Sequence, residues 1–288
     1  MDKIIFGDNQ FFGINHMSEQ ASIKQAQRFR TTEDIFKLLE YVNSIGIKSF
    51  MFTTHDALEP VIDKIRNSSA FSDFKLLPCM PYAHKYANAM SEMGIFATID
   101  KFTSGSKIMA GLKGLSAVVS SNPVPFMKLL VDSEMKFMKG LNVEGIFLQN
   151  IVVDLIIGLG MEDVLGEYAH YVEYQYGVQA GFITMNHTKL YDILTNKLGI
   201  KEPLMCSSIN KIGFRMNPCQ SDVENTLSNA KGTTIAMSIL ASGAVRPGEA
   251  VEYIRGLKGV DSILFGASTP AHILETKKLI DKELVASE

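Results

Sequence analysis

Ser262-Ile263-Leu264-Phe265-Gly266-Ala267-Ser268-Thr269-Pro270-Ala271-His272-Ile273 passes from a short apolar run, through a glycine, into a capped helix start. Four apolar-rich residues are ambiguous alone, because a buried strand and a piece of buried helix look the same at that length. The Ser268-Thr269-Pro270 signal resolves them. A hydroxyl accepts from the free amides of a first helical turn, and proline there loses no needed N–H. The segment reads as strand, turn, helix, with Ile273, Leu279 and Ile280 on the inward face.

Seven similar runs precede it: Ile4-Ile5-Phe6, Ser49-Phe50-Met51-Phe52, Lys75-Leu76-Leu77-Pro78, Gly145-Ile146-Phe147-Leu148, Gly181-Phe182-Ile183-Thr184, Leu204-Met205-Cys206 and Thr234-Ile235-Ala236-Met237. Most follow an amphipathic segment of helical length, which is the βαβ signature. Thr31 and Asp34 form a capping-box-like start. Ile35, Leu38, Leu39, Val42 and Ile45 then share one face, and Gly46 ends that helix. Eight such units predict a single α/β domain over residues 1–288, a (β/α)8 TIM barrel, a fold that needs about 250 residues.

The connection from the third run to the fourth is about twice the length that one helix and its loops require. Pro123, Pro125 and the apolar pattern from Phe126 to Met138 put the third helix at its end. Residues 83–121, with Gly105, Gly111 and Gly114, then form an insertion, read either as a lid over the mouth or as a contact between copies in a homo-oligomer.

Of the 288 residues, 46% are hydrophobic and 20% charged, and the net charge is −3. No basic cluster suggests nucleic acid as a partner. No run approaches the ~20 apolar residues that cross a bilayer. Ile151 to Gly160 is the most apolar stretch, and Asp154 interrupts it. No signal-like segment opens the chain, so a cytoplasmic location is expected. Cys79, Cys206 and Cys219 are too dispersed for a disulfide framework or a Cys-x-x-Cys site.

In a parallel barrel the residues after each strand collect around one rim. Asp8, Asn9, Gln10, Asn15 and His16 follow the first strand, and Thr53, Thr54, His55 and Asp56 the second. Tyr82, His84 and Lys85 follow the third, and Gln149, Asn150 and Asp154 the fourth. Asn186 and His187 follow the fifth, and Ser207, Ser208, Asn210 and Lys211 the sixth. His16, His55 and His187 could hold a divalent metal with Asp8 or Asp56, or the histidines, His84 among them, could serve as acid–base groups. No His-x-His or His-Glu-x-x-His pair locks two ligands together, and loop histidines are often simply solvated. Lys85 and Lys211 could form an imine with a carbonyl substrate if desolvated.

After the seventh strand come Ser242, Gly243 and Arg246, and after the eighth Gly266, Ser268 and Thr269. Glycine admits an anion close to backbone amides, a helix start favours negative charge, and these two loops often bind phosphate in this fold. The expected ligand is a small polar metabolite, anionic or phosphorylated.

The stretch from Thr233-Thr234-Ile235-Ala236-Met237-Ser238, through Gly243-Ala244-Val245-Arg246-Pro247, to Val260 and on into Ile273 resembles the carboxyl end of the aldo-keto reductase superfamily. Phe6-Gly7-Asp8-Asn9-Gln10-Phe11-Phe12-Gly13 is a fainter likeness to its first strand. The resemblance implies a (β/α)8 barrel that binds NADP(H), with the cofactor phosphate near the last strand and helix. It also implies an acid and a tyrosine after strand two, a lysine after strand three and a histidine after strand four. Here Thr53 stands near the acid's place without that tyrosine, Gln149 replaces the histidine, and Lys85 alone matches. Three functions follow: acid–base, metal-assisted or imine chemistry on an anionic metabolite; an NADP(H)-dependent reductase whose proton comes from Tyr82 or His55; or a barrel that binds without catalysis.

Overall fold

The computed structural model describes residues 1–13, 28–81 and 123–285. The expected insertion at 83–121, together with Asn15, His16, Tyr82, His84 and Lys85, lies outside the described residues.

The strands are β1 (Ile4–Phe6), β2 (Ser49–Thr53), β3 (Lys75–Met80), β4 (Gly145–Leu148), β5 (Gln179–Thr184), β6 (Leu204–Ser208), β7 (Thr233–Met237) and β8 (Ser262–Phe265). Each pairs in parallel with its neighbours, and β1 pairs with β8, so the sheet closes into a barrel. Around it lie α1 (Thr32–Ser44), α2 (Glu59–Arg66), α3 (Val124–Met135), α4 (Asn150–Gly158), α5 (Asp163–Tyr176), α6 (His187–Asp192), α7 (Gln220–Asn229), α8 (Pro247–Gly256) and α9 (Pro270–Val285).

Local chemistry explains the helix boundaries. The Thr31 hydroxyl accepts from Asp34 N–H at 3.2 Å, and the Asp34 carboxylate accepts from Thr31 N–H at 2.9 Å, completing the capping box. Ile35, Leu38, Leu39 and Val42 are buried, and Gly46 turns the chain away with φ of +87°. The helix expected over Phe126 to Met138 is α3, continued by a 3-10 turn from Lys136 to Met138. Between β4 and β5 the chain builds two helices where one would suffice. Gly158 and Gly160 divide the apolar stretch there.

Strand residues alternate between two cores, as a period of two requires. Ile5, Met51, Leu77, Cys79, Phe147, Ile183, Leu204, Cys206 and Ile235 pack together inside the barrel. Their neighbours, such as Phe6, Phe50, Phe52, Phe182 and Met205, face the helices. Gly181 makes room for the largest of the inner side chains. A Cβ there would stand 2.4 Å from the Phe147 ring, so only glycine lets that ring fill the lumen. The inside of the barrel is packed with side chains.

Candidate functional site at the carboxyl rim of the barrel

Continuing the alternation past the inner core brings Thr53, Gln149, Ser208 and Gly266 to the lumen side of the carboxyl rim. Asp8, in the turn after β1, reaches across to β2. Its Oδ2 accepts from Thr53 N–H at 2.7 Å, in effect extending the β1–β2 ladder with a side chain. Gln149 Nε2 donates to the Thr53 hydroxyl at 3.4 Å, linking β4 to the same point. Asp8, Thr53 and Gln149 therefore form one polar group across three strands.

Asp8 is buried, and loss of hydration raises its carboxyl pKa to about 6. Hydrogen bonds from the Thr53 amide and hydroxyl favour the carboxylate and limit the rise. Cys79, lining the lumen beside it, has a thiol pushed well above its usual range by burial and by the Asp8 charge.

Gln10 was not among the residues expected to act, yet it is buried in the same rim. Its Nε2 donates to the Gly7 carbonyl at 2.6 Å, while its Oε1 has no hydrogen-bond partner among the described residues. A Cβ at Gly266 would come within 2.1 Å of that oxygen, so the glycine after β8 makes space for the Gln10 amide. No sequence motif marks this pairing, because the two residues meet only when β1 closes against β8.

The loops after β7 and β8 have distinctive backbones. Ser238, Ala241 and Ser242 adopt φ of 56°, 45° and 57°, left-handed values that side chains with a Cβ disfavour. Gly243 follows at φ of 97°, with nothing within 4 Å of where its Cβ would be. Such strain persists only where the surroundings over-determine it, and it gathers at functional sites. At the head of α9, the Thr269 hydroxyl accepts from His272 N–H at 3.3 Å. Arg28 Nη1 donates to the Ser268 carbonyl at 3.0 Å, setting a cation beside that helix start. Arg246 is exposed at the start of α8.

Other expected residues are placed differently. His187, expected at the mouth, lies between the barrel and the helices. Its Nδ1 is hydrogen-bonded to the Ser207 hydroxyl at 2.8 Å, and Ser207 follows the inward Cys206 and so points outward. Burial lowers the His187 pKa to about 4. Asn186 caps α6, accepting from Lys189 N–H at 3.2 Å. Asp154 holds α4 to β5, accepting from the Thr184 hydroxyl at 2.5 Å and Met185 N–H at 3.1 Å. His55 stacks on Phe12 with ring centres 4.5 Å apart, and its Nδ1 accepts from Ala57 N–H at 3.0 Å. Asp56 is exposed beside it. Lys211 pairs with Glu249 at 3.0 Å with both side chains half exposed, which is not the desolvated setting that imine chemistry requires. Among the described residues no three His, Cys, Asp or Glu side chains come together to hold a metal. None of the described helices is long and apolar enough to cross a membrane.

Solved structures share this fold. Two of proteins from Pseudomonas aeruginosa designated aldo-keto reductases superpose with TM-scores of 0.59 and 0.60, at 12% and 11% identity. The alignments cover 98% and 99% of this chain and 91% of each of theirs. A thermostable aldo-keto reductase solved with the inhibitor epalrestat superposes with a TM-score of 0.56 at 13% identity, covering 98% of this chain and 90% of its own. The fold is that of the aldo-keto reductases. The likeness seen at the carboxyl end of the sequence thus extends, as architecture, over nearly the whole barrel. No family model matches the sequence, and no curated protein matches it.

Proposed function

We propose that this protein is an NADP(H)-dependent oxidoreductase that acts on a small polar carbonyl or alcohol compound at the carboxyl rim of its barrel. The observation that carries the reading is the phosphate-ready character of the two last loops, within a fold shared with aldo-keto reductases. A cation, Arg28, is fixed 3.0 Å from the Ser268 carbonyl at the head of the last helix. The left-handed turn after β7 leaves Gly243 exposed, with nothing within 4 Å of where its Cβ would stand. Helix starts and exposed amides favour anions, and a guanidinium adds charge-assisted hydrogen bonds. These residues suit a nucleotide phosphate.

Ser242, Gly243, Arg246, Ser268 and Thr269 would hold that phosphate, with Arg28 beside them. When bound, the nicotinamide supplies hydride chemistry, which the protein's own side chains lack. The chain's part is to orient the reacting oxygen and to hold a proton at the rim. The metal-assisted alternative loses support because the described residues gather no ligand set. The imine alternative loses support at Lys211, which is solvated and paired.

Titrating the protein with NADPH and NADH while following nucleotide fluorescence tests this. NADPH should bind the more tightly, and Arg28→Ala and Arg246→Ala should each weaken it about tenfold, the usual worth of a charge-assisted contact. Failure of both nucleotides to bind would sink the reading.

A further inference from the structure

The Asp8 carboxyl, the Thr53 amide and hydroxyl, and the Gln149 amide meet at one point on the lumen side of the rim. Thr53 is only partly buried, whereas Asp8 lies behind it, 7% exposed. A carboxyl kept from water but joined to a hydroxyl that reaches the lumen is placed to store a proton and to pass it on. Nothing in the fold requires an acid there. Asparagine would accept the same Thr53 N–H bond without the cost of burying a charge.

We propose that Asp8 is the proton-holding group of this site and that the Thr53 hydroxyl is its contact with a hydroxyl or carbonyl oxygen of the bound substrate. This deepens the oxidoreductase reading and rests on it for the identity of the substrate. As the substrate oxygen gains electron density, it takes the proton of the Thr53 hydroxyl. The Thr53 oxygen takes the Asp8 proton in the same motion. The electron pair of the broken Asp8 O–H bond stays on the carboxylate, where Thr53 N–H stabilises it. The reverse sequence removes a proton from an alcohol.

The groups around Asp8 fit the role. Burial raises its pKa to about 6, so both protonation states are populated near neutral pH. Cys79 from β3 faces it, and Cys206 from β6 lies beyond; burial raises both thiols, so neither competes for ionisation there. Among the described residues no cation contributes to the Asp8 shift. His55, in the turn after β2, is held by its stack on Phe12 and its bond from Ala57. Among the described residues Asp8 is thus the titrating group that faces the lumen-side hydroxyl.

Carbon-13 NMR of aspartate-labelled full-length protein, with Asp8→Asn to assign the signal, reads the carboxyl directly and needs neither nucleotide nor substrate. The Asp8 signal should titrate near pH 6, and Thr53→Val should move it upward by removing a bond that favours the charged form. With NADPH and glyceraldehyde, the reduction rate should fall above the same pH in the wild type. Asp8→Asn should lower kcat at least a hundredfold, the worth of a general acid, with KM within threefold. Thr53→Val removes the hydroxyl that carries the proton and should lower kcat as far as Asp8→Asn does, whereas Thr53→Ser keeps the hydroxyl and should hold its kinetic limb at the pH of its own NMR titration, a coupling that a purely structural carboxyl would not produce. An Asp8 carboxyl already ionised at pH 5, or kcat retained within threefold of wild type in either Asp8→Asn or Thr53→Val, would overturn the proposal. If the wild type oxidises no NADPH, the oxidoreductase reading falls, and the carboxyl titration alone then decides whether Asp8 can hold a proton.

Discussion

Replacing Asp8 with asparagine should stabilise the protein, and by more at pH 7 than at pH 4. The carboxyl titrates near pH 3.8 in the unfolded chain and at about 6 in the fold, a rise caused chiefly by burial. A group whose native pKa is raised binds its proton more tightly in the fold. Its stabilising contribution is therefore complete below pH 3.8 and is lost as pH rises through about 6. A shift of about two units at ~1.4 kcal/mol per unit makes the loss about 3 kcal/mol. His187 works in the opposite sense. Its pKa falls from 6.5 to about 4 on burial, so its contribution is complete above pH 6.5 and is lost as pH falls. The two slopes oppose each other between pH 4 and 6, and the wild-type profile there should be nearly flat. The variant removes one slope and leaves the other. Urea unfolding of wild type and Asp8→Asn at pH 4, 5, 6 and 7 measures the difference. It should widen by about 2.4 kcal/mol across that range, because at pH 4 a part of the loss has already occurred. A difference constant to within about 0.5 kcal/mol, or one that narrows with pH, would refute the reasoning, since a buried carboxyl costs stability only when ionised.

Other substitutions test other parts of the structure. Gly181→Ala brings a Cβ within 2.4 Å of the Phe147 ring and should cost about 1–3 kcal/mol by overpacking, read as a lower urea midpoint. Gly266→Ala should dislodge the Gln10 amide from the Gly7 carbonyl, costing about 1 kcal/mol or more. A crystal structure of the variant should find Gln10 rotated. Lys211→Ala breaks a half-exposed pair with Glu249 and should change stability by less than about 1 kcal/mol, with NADPH turnover unaltered. Loss of turnover in that variant would restore the amine as a candidate.

Much of the barrel was legible because strands buried on both faces leave short apolar runs between capped helices. Gly145–Leu148 and Ser262–Phe265 stand at the expected positions, and the Thr31–Asp34 box starts its helix as read. The double helix after β4 was not anticipated, because Ile151 to Gly160 reads as one apolar block until Gly160 takes its left-handed turn. The rim was harder. A residue two or three places past a strand has left the alternation, so its direction depends on the turn it enters. His187 enters a helix at once and is drawn behind the sheet, whereas Asp8 bends back over β2. Gln10 reads as a rim residue, but its fit against Gly266 does not, because that glycine is 256 residues away in sequence and adjacent only through barrel closure.

The Phe147 ring, seated against Gly181 among the inner side chains, also decides the traffic of molecules. A barrel stoppered in this way has one doorway. Among the described residues the barrel axis is therefore shut below Asp8, and the approach to that carboxyl runs from the carboxyl rim.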